Sequence, residues 1–352
     1  MNDRAPSASP QNAAPSKLGA RVILVMLVSV VLYGVLVAIR GTKKIEQELT
    51  HFAWTTFAIA CGLSFVNYLL RFLKWEYYLA VLGIQPRRSL PRAIPWGESL
   101  LVFLSGFVLT VTPLKVGEVF KSVVLRDLRG IDVVRTAPIV AAERLTDLVG
   151  VIVLITFGAS VFPGGLLWAG LGTLFVVFLL GFVSVPALSR FALAPLPRLP
   201  GRAGAIGKRV VPKIELALAE LRFITSPRTL VIPSILSVVG WALEGLGTWI
   251  ILGGFGALLD IPRAVFFYAT ATLAGALTPL PGGLGATEKV LEESMVGLGG
   301  VPGPVATAAM LLSRLATLWF AVLVGFVAYG ALRARHPHLG KPSPPGVKSI
   351  NP

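Results

Sequence analysis

A segment broken by proline and glycine, residues 278–288 (TPLPGGLGATE), lies between flanks that are too apolar for a water-exposed surface. A shorter segment with the same Thr-Pro-Leu opening and a Gly-Glu ending, residues 112–118 (TPLKVGE), occurs earlier in the chain. Paired interrupted segments at corresponding positions of two halves are the best sequence indication of a transport site in a membrane protein. The two segments therefore predict a duplicated chain with one break at membrane depth in each half.

The composition restricts the class of fold. Of the 352 residues, 55% are hydrophobic and 14% are charged, and long apolar runs alternate with basic loops. This pattern excludes a soluble globular core and predicts an all-α polytopic integral membrane protein. The net charge of +15 lies in short loops, where it sets topology and contacts anionic lipid rather than nucleic acid. One cysteine, Cys61, and three scattered histidines give no metal-ligand spacing, so neither a metal nor a cofactor is expected.

Basic residues between the apolar segments predict the first half of the topology. Lys and Arg in short loops remain cytoplasmic, and five of them lie in each of the stretches 71–96 and 114–136. The segment between these stretches is therefore expected to enter and leave on the cytoplasmic face, as a re-entrant hairpin with the first break at its tip. The eight apolar segments run roughly over 20–39, 52–70, 99–111, 137–162, 166–185, 230–255, 264–277 and 305–332.

The remaining basic residues complete the predicted topology. The stretch 187–228 carries eight of them and is interpreted as a cytoplasmic loop. A second hairpin, entering from outside at 278–288, agrees with this loop and with the basic C-terminal tail. The expected arrangement is about six spanning helices and two re-entrant hairpins in a bacterial inner membrane, with both termini cytoplasmic. It forms one transmembrane domain over 20–334, flanked by disordered segments at 1–19 and 335–352.

The two halves of this domain, about 52–162 and 230–332, repeat charged residues at a constant distance along the sequence. Because the topology gives the halves opposite orientations, the sequence predicts an inverted repeat. The repeated charges are Glu118 with Glu288 and Arg144 with Arg314, the members of each pair lying 170 residues apart.

The two breaks are the first candidate for a ligand site. Irregular backbone at membrane depth must be satisfied by protein or must line a water-filled cavity, so both breaks are expected to line one. The helix after each break presents free N–H groups that suit an anionic group such as phosphate. Glycines in the second break permit close approach of the backbone. The alternative interpretation is that proline and glycine here only form tight turns.

Ionisable residues in the spanning helices are the second candidate, because their cost makes them face the bundle interior and mark a pathway. The spacing of Glu143, Arg144 and Asp147 places all three near one helix face, either as ligand contacts or as a structural Arg–Asp pair. Arg314 has no acidic neighbour on its own helix. Its expected partner is Glu288 or an anionic ligand.

Two further cations are interpreted differently. Arg71 and Lys74 are expected to extend to the membrane interface, whereas Glu244 lies too deep in its helix for this explanation. The candidate residues for substrate binding and translocation are Thr112, Pro113, Lys115, Gly117, Glu118, Glu143, Arg144, Asp147, Glu244, Thr278, Pro279, Pro281, Gly282, Gly283, Gly285, Glu288 and Arg314.

Three motifs carry a family resemblance: KVGE at 115–118, ERLTD at 143–147 and PGGLGATE at 281–288. Together they resemble the flippase-like transmembrane region of lysylphosphatidylglycerol synthases and its stand-alone relatives, over most of 20–334. In such synthases this region is linked to a soluble aminoacyl-transferase domain and is credited with moving the modified lipid between leaflets. The chain is expected to lack that domain, so the resemblance implies lipid translocation rather than synthesis.

The sequence therefore favours a flippase or transporter for an anionic phospholipid, a polyprenyl-phosphate carrier or a hopanoid-type intermediate. Arg144 and Arg314 would hold the phosphate, while Glu118, Asp147 and Glu288 would balance the arginines or carry coupling protons. The expected partners are membrane lipids and a lipid-modifying enzyme. The alternatives are a membrane-embedded enzyme, or subunit of one, acting on a lipid, and a scaffold for envelope enzymes. No nucleophile–base pair or nucleotide-binding loop favours the enzyme.

Overall fold

The computed structural model of the chain describes residues 42–85, 94–112, 117–162, 165–278, 280–337 and 339. Within these ranges the chain is almost entirely helical and has no β-strand, which confirms the all-α class. The predicted first helix at 20–39, the segment 1–19 and most of the tail 335–352 lie outside the described residues.

Thirteen α-helices occur in the described ranges, with short 3₁₀ or π turns at several of their ends. The α-helices are α1 Thr42–Thr50, α2 Trp54–Val81, α3 Trp96–Ser105, α4 Phe120–Arg129, α5 Val133–Ala159, α6 Gly165–Ser184, α7 Pro186–Leu193, α8 Gly201–Ile224, α9 Pro227–Gly254, α10 Ile261–Leu277, α11 Ala286–Gly297, α12 Gly303–Arg314 and α13 Phe320–Arg335. The 3₁₀ turns are Gly106–Leu109, Leu196–Arg198 and Pro281–Gly283, and a π turn at Leu315–Trp319 joins α12 to α13.

Local sequence explains where the long helices begin. Asp132 precedes α5 and accepts a hydrogen bond from the N–H of Val134 at 3.1 Å. Ser226 precedes α9 and accepts one from the N–H of Thr229 at 3.4 Å, with Pro227 at the first helical position. Short polar side chains satisfy the free N–H groups of a helix start, and proline fits there because it has no N–H to satisfy.

Several helices have the length and apolarity of membrane spans. In the described ranges these are α2, residues Arg228–Gly254 of α9, and the continuous helix Gly303–Arg335. A fourth arises if Gly170–Ser184 and Pro186–Arg198, which meet at a sharp bend, form one broken span. About 20 apolar residues are enough to cross the hydrocarbon core. The chain is therefore a membrane protein with several apolar helices.

The stretch 187–228, interpreted above as a loop, is largely helical. Its eight basic residues predicted a cytoplasmic loop, and within it α8 has an apolar face that packs against neighbouring helices. Its Val211 and Leu218 are buried in a cluster with Leu145 of α5 and Val183 of α6. Burial of this apolar face stabilises α8, because tertiary packing contributes more to helix stability in proteins than intrinsic helix propensity does.

The centre of the fold is the pair α2 and α9, with α5 and α10 packed against α9. Glycines allow this close packing. A Cβ atom on Gly150 of α5 would lie 2.9 Å from the backbone carbonyl carbon of Ser237 on α9, and one on Gly245 of α9 would lie 2.9 Å from Cα of Val265 on α10. Small residues at helix contacts let backbones approach closely in membrane proteins. The α5–α9 contact also brings Asp147, one turn before Gly150, next to α9.

Candidate functional site

The second break turns the chain between α10, which ends at Leu277, and α11, which begins at Ala286. Within it, Gly282, Gly283 and Gly285 have φ angles of 61°, 67° and 90°. Residues other than glycine rarely adopt these φ angles, because their Cβ atom then collides with the backbone. The three glycines therefore make the turn itself.

Two contacts hold this turn in place. A Cβ atom on Gly283 would lie 2.9 Å from Cα of Gly275 on α10, so the turn packs directly on the helix backbone. Glu288, in the first turn of α11, accepts a hydrogen bond from the N–H of Gly285 at 2.6 Å. A carboxylate at this place is also favoured by the positive end of the helix dipole.

The first break is closed by one side chain. The hydroxyl of Thr112 donates to the carbonyl of Leu109 at 2.7 Å and accepts the N–H of Gly117 at 2.7 Å, which ties its two ends together. The candidate residues Pro113, Lys115 and Pro279 lie outside the described part of the chain.

Glu118, directly after the first break, is the centre of a buried ion network. Its carboxylate lies 3.1 Å from Nη2 of Arg71 and 3.2 Å from Nη2 of Arg144, and the hydroxyl of Thr110 donates to it at 3.2 Å. Arg144 Nη2 also lies 2.9 Å from Asp147 Oδ2. The Arg–Asp pair anticipated from the sequence is therefore present, and it belongs to a larger network.

A second cation of α2, Lys74, also belongs to the network. Lys74 Nζ lies 2.6 Å from Asp147 Oδ1 and donates to the hydroxyl of Ser237 at 2.8 Å. The expectation that Arg71 and Lys74 reach the membrane interface is wrong, because Arg71 is 7% exposed and Lys74 is fully buried. Helix α2 continues to Val81 instead of ending near residue 70, so both cations lie within the helix packing. A buried charge there requires a partner.

An equivalent pair occurs in the second half. Arg314 Nε donates to Glu288 Oε1 at 2.6 Å, and its Nη2 donates to the carbonyl of Gly282 at 2.8 Å. Of the two expected partners of Arg314, Glu288 or an anionic ligand, Glu288 is in contact with it. Glu118 and Arg144 form the matching pair in the first half. Each lies 170 residues before its counterpart in the second half, Glu288 or Arg314.

Glu143 does not share the environment of Arg144 and Asp147, contrary to the sequence expectation. It pairs instead with Lys121 of α4 at 2.6 Å, and the Lys121 ammonium lies 4.8 Å from the ring centroid of Trp75. Both charges are almost fully buried. Adjacent helix positions differ by about 100° in direction, so one can face α4 while the next faces the site.

Glu244 of α9 is 3% exposed and accepts hydrogen bonds from three neutral groups. These are the hydroxyl of Ser64 at 3.1 Å, the side-chain amide of Asn67 at 2.6 Å and the hydroxyl of Tyr268 at 3.4 Å. Its carboxylate therefore joins α9 to α2 and α10.

A cavity of about 440 Å³ joins these elements. Both breaks line it, the first through Thr112 and the second through Leu280, Gly282 and Gly283; Thr110, just before the first break, lines it too. The shared cavity expected from the sequence is thus present. The charged residues that line it are Arg71, Arg144, Asp147, Glu244 and Arg314.

The cavity has an apolar mouth and an interior with charges of both signs. Three of its lining residues lie where the cavity opens at the protein surface: Phe175, Leu277 and Leu280, which are 48%, 70% and 46% exposed. Inside, the Nε atoms of Arg71 and Arg144 are buried and have no hydrogen-bond partner among the described residues. Buried donors are normally satisfied, and an unsatisfied one calls for an explanation such as a ligand or water.

The candidate residues divide into two groups. Those that line the cavity are Thr112, Arg144, Asp147, Glu244, Gly282, Gly283 and Arg314. Those that are described but do not line it are Gly117, Glu118, Glu143, Thr278, Pro281, Gly285 and Glu288; two of them, Glu118 and Glu288, contact lining arginines. The described residues contain no group of three His, Cys, Asp or Glu side chains that could hold a metal ion.

Sequence reasoning missed the neutral and aromatic residues of the cavity. Among them are Asn67, Tyr68, Trp241 and Tyr268. Arg71 lies four positions after Asn67 and three after Tyr68 on α2, so both are its neighbours on the helix surface. That spacing would have predicted a polar face on α2 if the predicted helix had extended beyond residue 70 to include Arg71.

The fold and the site define a class: a helical membrane protein in which two interrupted segments share one charged cavity. The sequence profile of the family described as "Lysylphosphatidylglycerol synthase TM region" matches residues 22–325. The chain therefore belongs to this family.

Two archaeal proteins are similar to the chain. A "UPF0104 membrane protein" of Methanothermobacter thermautotrophicus is 23% identical over 315 residues, covering 85% of this chain and 90% of that protein. A UPF0104 membrane protein of Methanocaldococcus jannaschii is 25% identical over 233 residues, covering 63% of this chain and 93% of that protein.

Proposed function

We propose that this protein moves an anionic amphipathic lipid between the leaflets of a membrane, as a flippase or transporter. The substrate class comprises anionic phospholipids and polyprenyl-phosphate or hopanoid-type intermediates. One observation carries the proposal: the cavity combines arginines inside, of which Arg71 and Arg314 are buried, with exposed apolar residues at its mouth. Such a site suits a molecule with a charged head and an apolar tail.

The size of the cavity suits the headgroup of the substrate and leaves its acyl chains outside. Pockets for whole small ligands occupy roughly 300–1,000 Å³, so about 440 Å³ holds a phosphate-bearing headgroup but not long acyl chains as well. The chains would leave past Phe175, Leu277 and Leu280 into the surrounding lipid. Carrying a charge across hydrocarbon without such a site costs several kcal/mol or more.

The contacts of the arginines suggest different roles. Arg314 uses Nε for Glu288 and Nη2 for the carbonyl of Gly282, so it chiefly holds the second break in place. Arg71 and Arg144 each keep an Nε free of protein partners in the described part of the chain. We assign the phosphate to these two, and treat Arg314 as a positioning residue.

An inverted repeat would provide the two-sided access that transport needs. Helices α2 and α9 are 28 residues long, and both their first and last residues lie 173 positions apart. Each is followed by a helix, a break, a second helix and a long helix. This order supports six spans and two opposed hairpins, with one half rocking against the other around the cavity.

The opposite orientation of the halves is tested by labelling. In a variant with Cys61 replaced by alanine, single cysteines are placed at the exposed positions Val134, at the start of α5, and Leu298, after α11. A membrane-impermeant maleimide should reach the first only from the cytoplasmic side and the second only from outside. Labelling of both from the same side would make the repeat parallel and remove the inverted topology.

Lipid movement is tested in proteoliposomes. The purified protein is reconstituted in phosphatidylglycerol vesicles with an acyl-labelled fluorescent phosphatidylglycerol, and dithionite then bleaches the label in the outer leaflet. We expect bleaching to extend to lipid from the inner leaflet only when the protein is present. Mass spectra of the extracted lipids separate the alternative: unchanged lipid supports transport, whereas a new lipid species would indicate an enzyme and contradict the proposal.

A further inference from the structure

An apolar row on the surface of α8 is only partly covered by the rest of the protein. Residues four positions apart are neighbours along a helix surface, and on α8 such a row consists of Ile206, Val210, Ile214 and Leu218. Ile206 is 62% exposed and Val210 is 39% exposed, whereas Leu218 is buried in the same cluster as Leu145 of α5. The second half of α8 therefore packs on the helix bundle, and the apolar row of its first half extends beyond that contact.

Basic residues lie beside this exposed part of the row. Arg209 is exposed and lies three positions after Ile206, next to it on the helix surface. Arg202 and Lys213 lie seven positions before and four after Arg209, which continues the same side of the helix. An open groove of about 330 Å³ is lined by Ile206, Arg209 and Val210, together with an alanine. The first half of α8 thus presents apolar and cationic positions side by side.

The segment between α6 and α8 extends the exposed apolar surface. The chain bends by 98° between Gly170–Ser184 and Pro186–Arg198, so α7 runs almost perpendicular to α6. Phe191 of α7 is 81% exposed, and Leu196 and Leu199 are also exposed. A helix perpendicular to a membrane span lies along the membrane surface, where its apolar side chains reach the boundary between headgroups and acyl chains.

Specific contacts hold α7 and α8 together. Arg222 of α8 donates from Nε to the carbonyl of Val183 at 2.7 Å and from Nη2 to the hydroxyl of Ser189 at 2.5 Å. A Cβ atom on Gly207 would lie 2.5 Å from the carbonyl oxygen of Leu196, so α8 packs closely on the 3₁₀ turn before it. Helix α7, this turn and the first half of α8 therefore form one packed unit over residues 186–213, here called the interfacial unit.

We propose that the interfacial unit is a docking surface for an anionic lipid bilayer. Phe191, Ile206 and Val210 lie at the acyl boundary, and Arg198 and Arg209 contact lipid phosphates. Charge supports this partner, because the stretch 187–228 carries eight basic and two acidic residues, and basic residues on an amphipathic helix are attracted to anionic lipids. The surface is separate from the cavity, which none of these five residues lines. It binds lipids of the adjacent leaflet whether or not the protein moves lipid.

The contact is tested with a fluorescent probe on the apolar row. In a Cys61→Ala background, nitrobenzoxadiazole is attached to Ile206→Cys, and the protein is placed in phosphatidylglycerol or phosphatidylcholine nanodiscs that contain a doxyl-labelled lipid. We expect blue-shifted emission and quenching by the doxyl lipid in phosphatidylglycerol, and water-exposed emission in phosphatidylcholine. Glu215→Cys is the matched control, because Glu215 is exposed and lies nine positions later, on the opposite side of α8. Its probe should remain water-exposed in both lipids.

The role of charge is tested with Arg198→Gln/Arg209→Gln, which keeps the apolar row. Each basic residue near an anionic surface changes binding about fivefold, so the ratio of lipid-contacting to water-exposed Ile206 probe should fall about 25-fold in phosphatidylglycerol. Arg126→Gln/Lys289→Gln removes two exposed cations on α4 and α11 and should leave the ratio unchanged.

Two results would overturn the proposal. A probe at Ile206 that is equally shielded in both lipids would show either cover by another part of the chain or contact with lipid of any charge. A probe that is water-exposed in both would leave the surface to a soluble partner.

Discussion

Arg144→Ala is expected to abolish lipid movement while the protein remains folded. The variant loses the cavity arginine whose side chain is most exposed, at 25%. A charge-assisted hydrogen bond contributes about 1.5–3 kcal/mol, so headgroup binding should weaken about ten- to a hundredfold. The fold should survive, because Glu118 keeps Arg71 and Asp147 keeps Lys74 as partners. The bleaching assay measures the rate, and gel filtration measures the folded fraction.

Two further variants make the test specific. Arg144→Lys should retain little activity, because an ammonium group lacks the planar fork that binds two phosphate oxygens. Arg126→Ala is the matched control, since Arg126 is an exposed arginine that pairs with the adjacent Asp127. It should transport normally. A fully active Arg144→Ala protein would leave this arginine with a structural role at most.

Gly283→Val is expected to produce the second large loss of transport. Gly283 has a φ angle of 67°, and its Cβ position lies 2.9 Å from the backbone of Gly275. A β-branched residue there adds roughly 1–3 kcal/mol of backbone strain and also pushes the turn away from α10. Because the break lines the cavity, its displacement should disrupt the site even when the protein still inserts.

The control for this variant is Gly297→Val. Gly297 ends α11, and nothing lies within 4 Å of its Cβ position. Gly297→Val should accumulate and transport like the unmodified protein, whereas Gly283→Val should accumulate but not transport. Normal transport by Gly283→Val would mean that the breaks are packing turns, as the alternative interpretation of the sequence holds.

The sequence predicts those parts of the site that follow from local rules. Prolines and glycines in close succession disfavour a helix, and irregular backbone at membrane depth is expected to line a cavity, so the two breaks and their shared cavity were predictable. Arg314 has no acidic neighbour within its own helix, and the need of a buried charge for a partner predicted Glu288 or an anionic ligand, of which the structure shows Glu288 in contact. Both predictions depend on chemistry within one segment or on a repeated pattern.

Parts that depend on distant contacts were missed or misplaced. Arg71 and Lys74 follow an apolar run, where cations usually reach the interface, and their partners Glu118 and Asp147 lie 47 and 73 residues away in the sequence. Only the packing of α2 against its neighbours reveals that these cations are buried. The helices within the stretch 187–228 were not predicted for the same reason, since the apolar face of α8 packs against α5 and α6, which lie elsewhere in the sequence.

The central claim is that an anionic lipid headgroup occupies the cavity at Arg71 and Arg144. The most direct measurement is native mass spectrometry of the protein extracted gently from its membrane, with the bound lipid identified after dissociation. We expect an anionic lipid on the unmodified protein and on Arg126→Ala, and its loss from Arg144→Ala. The same bound lipid in the same amount on all three proteins would contradict a headgroup site in this cavity.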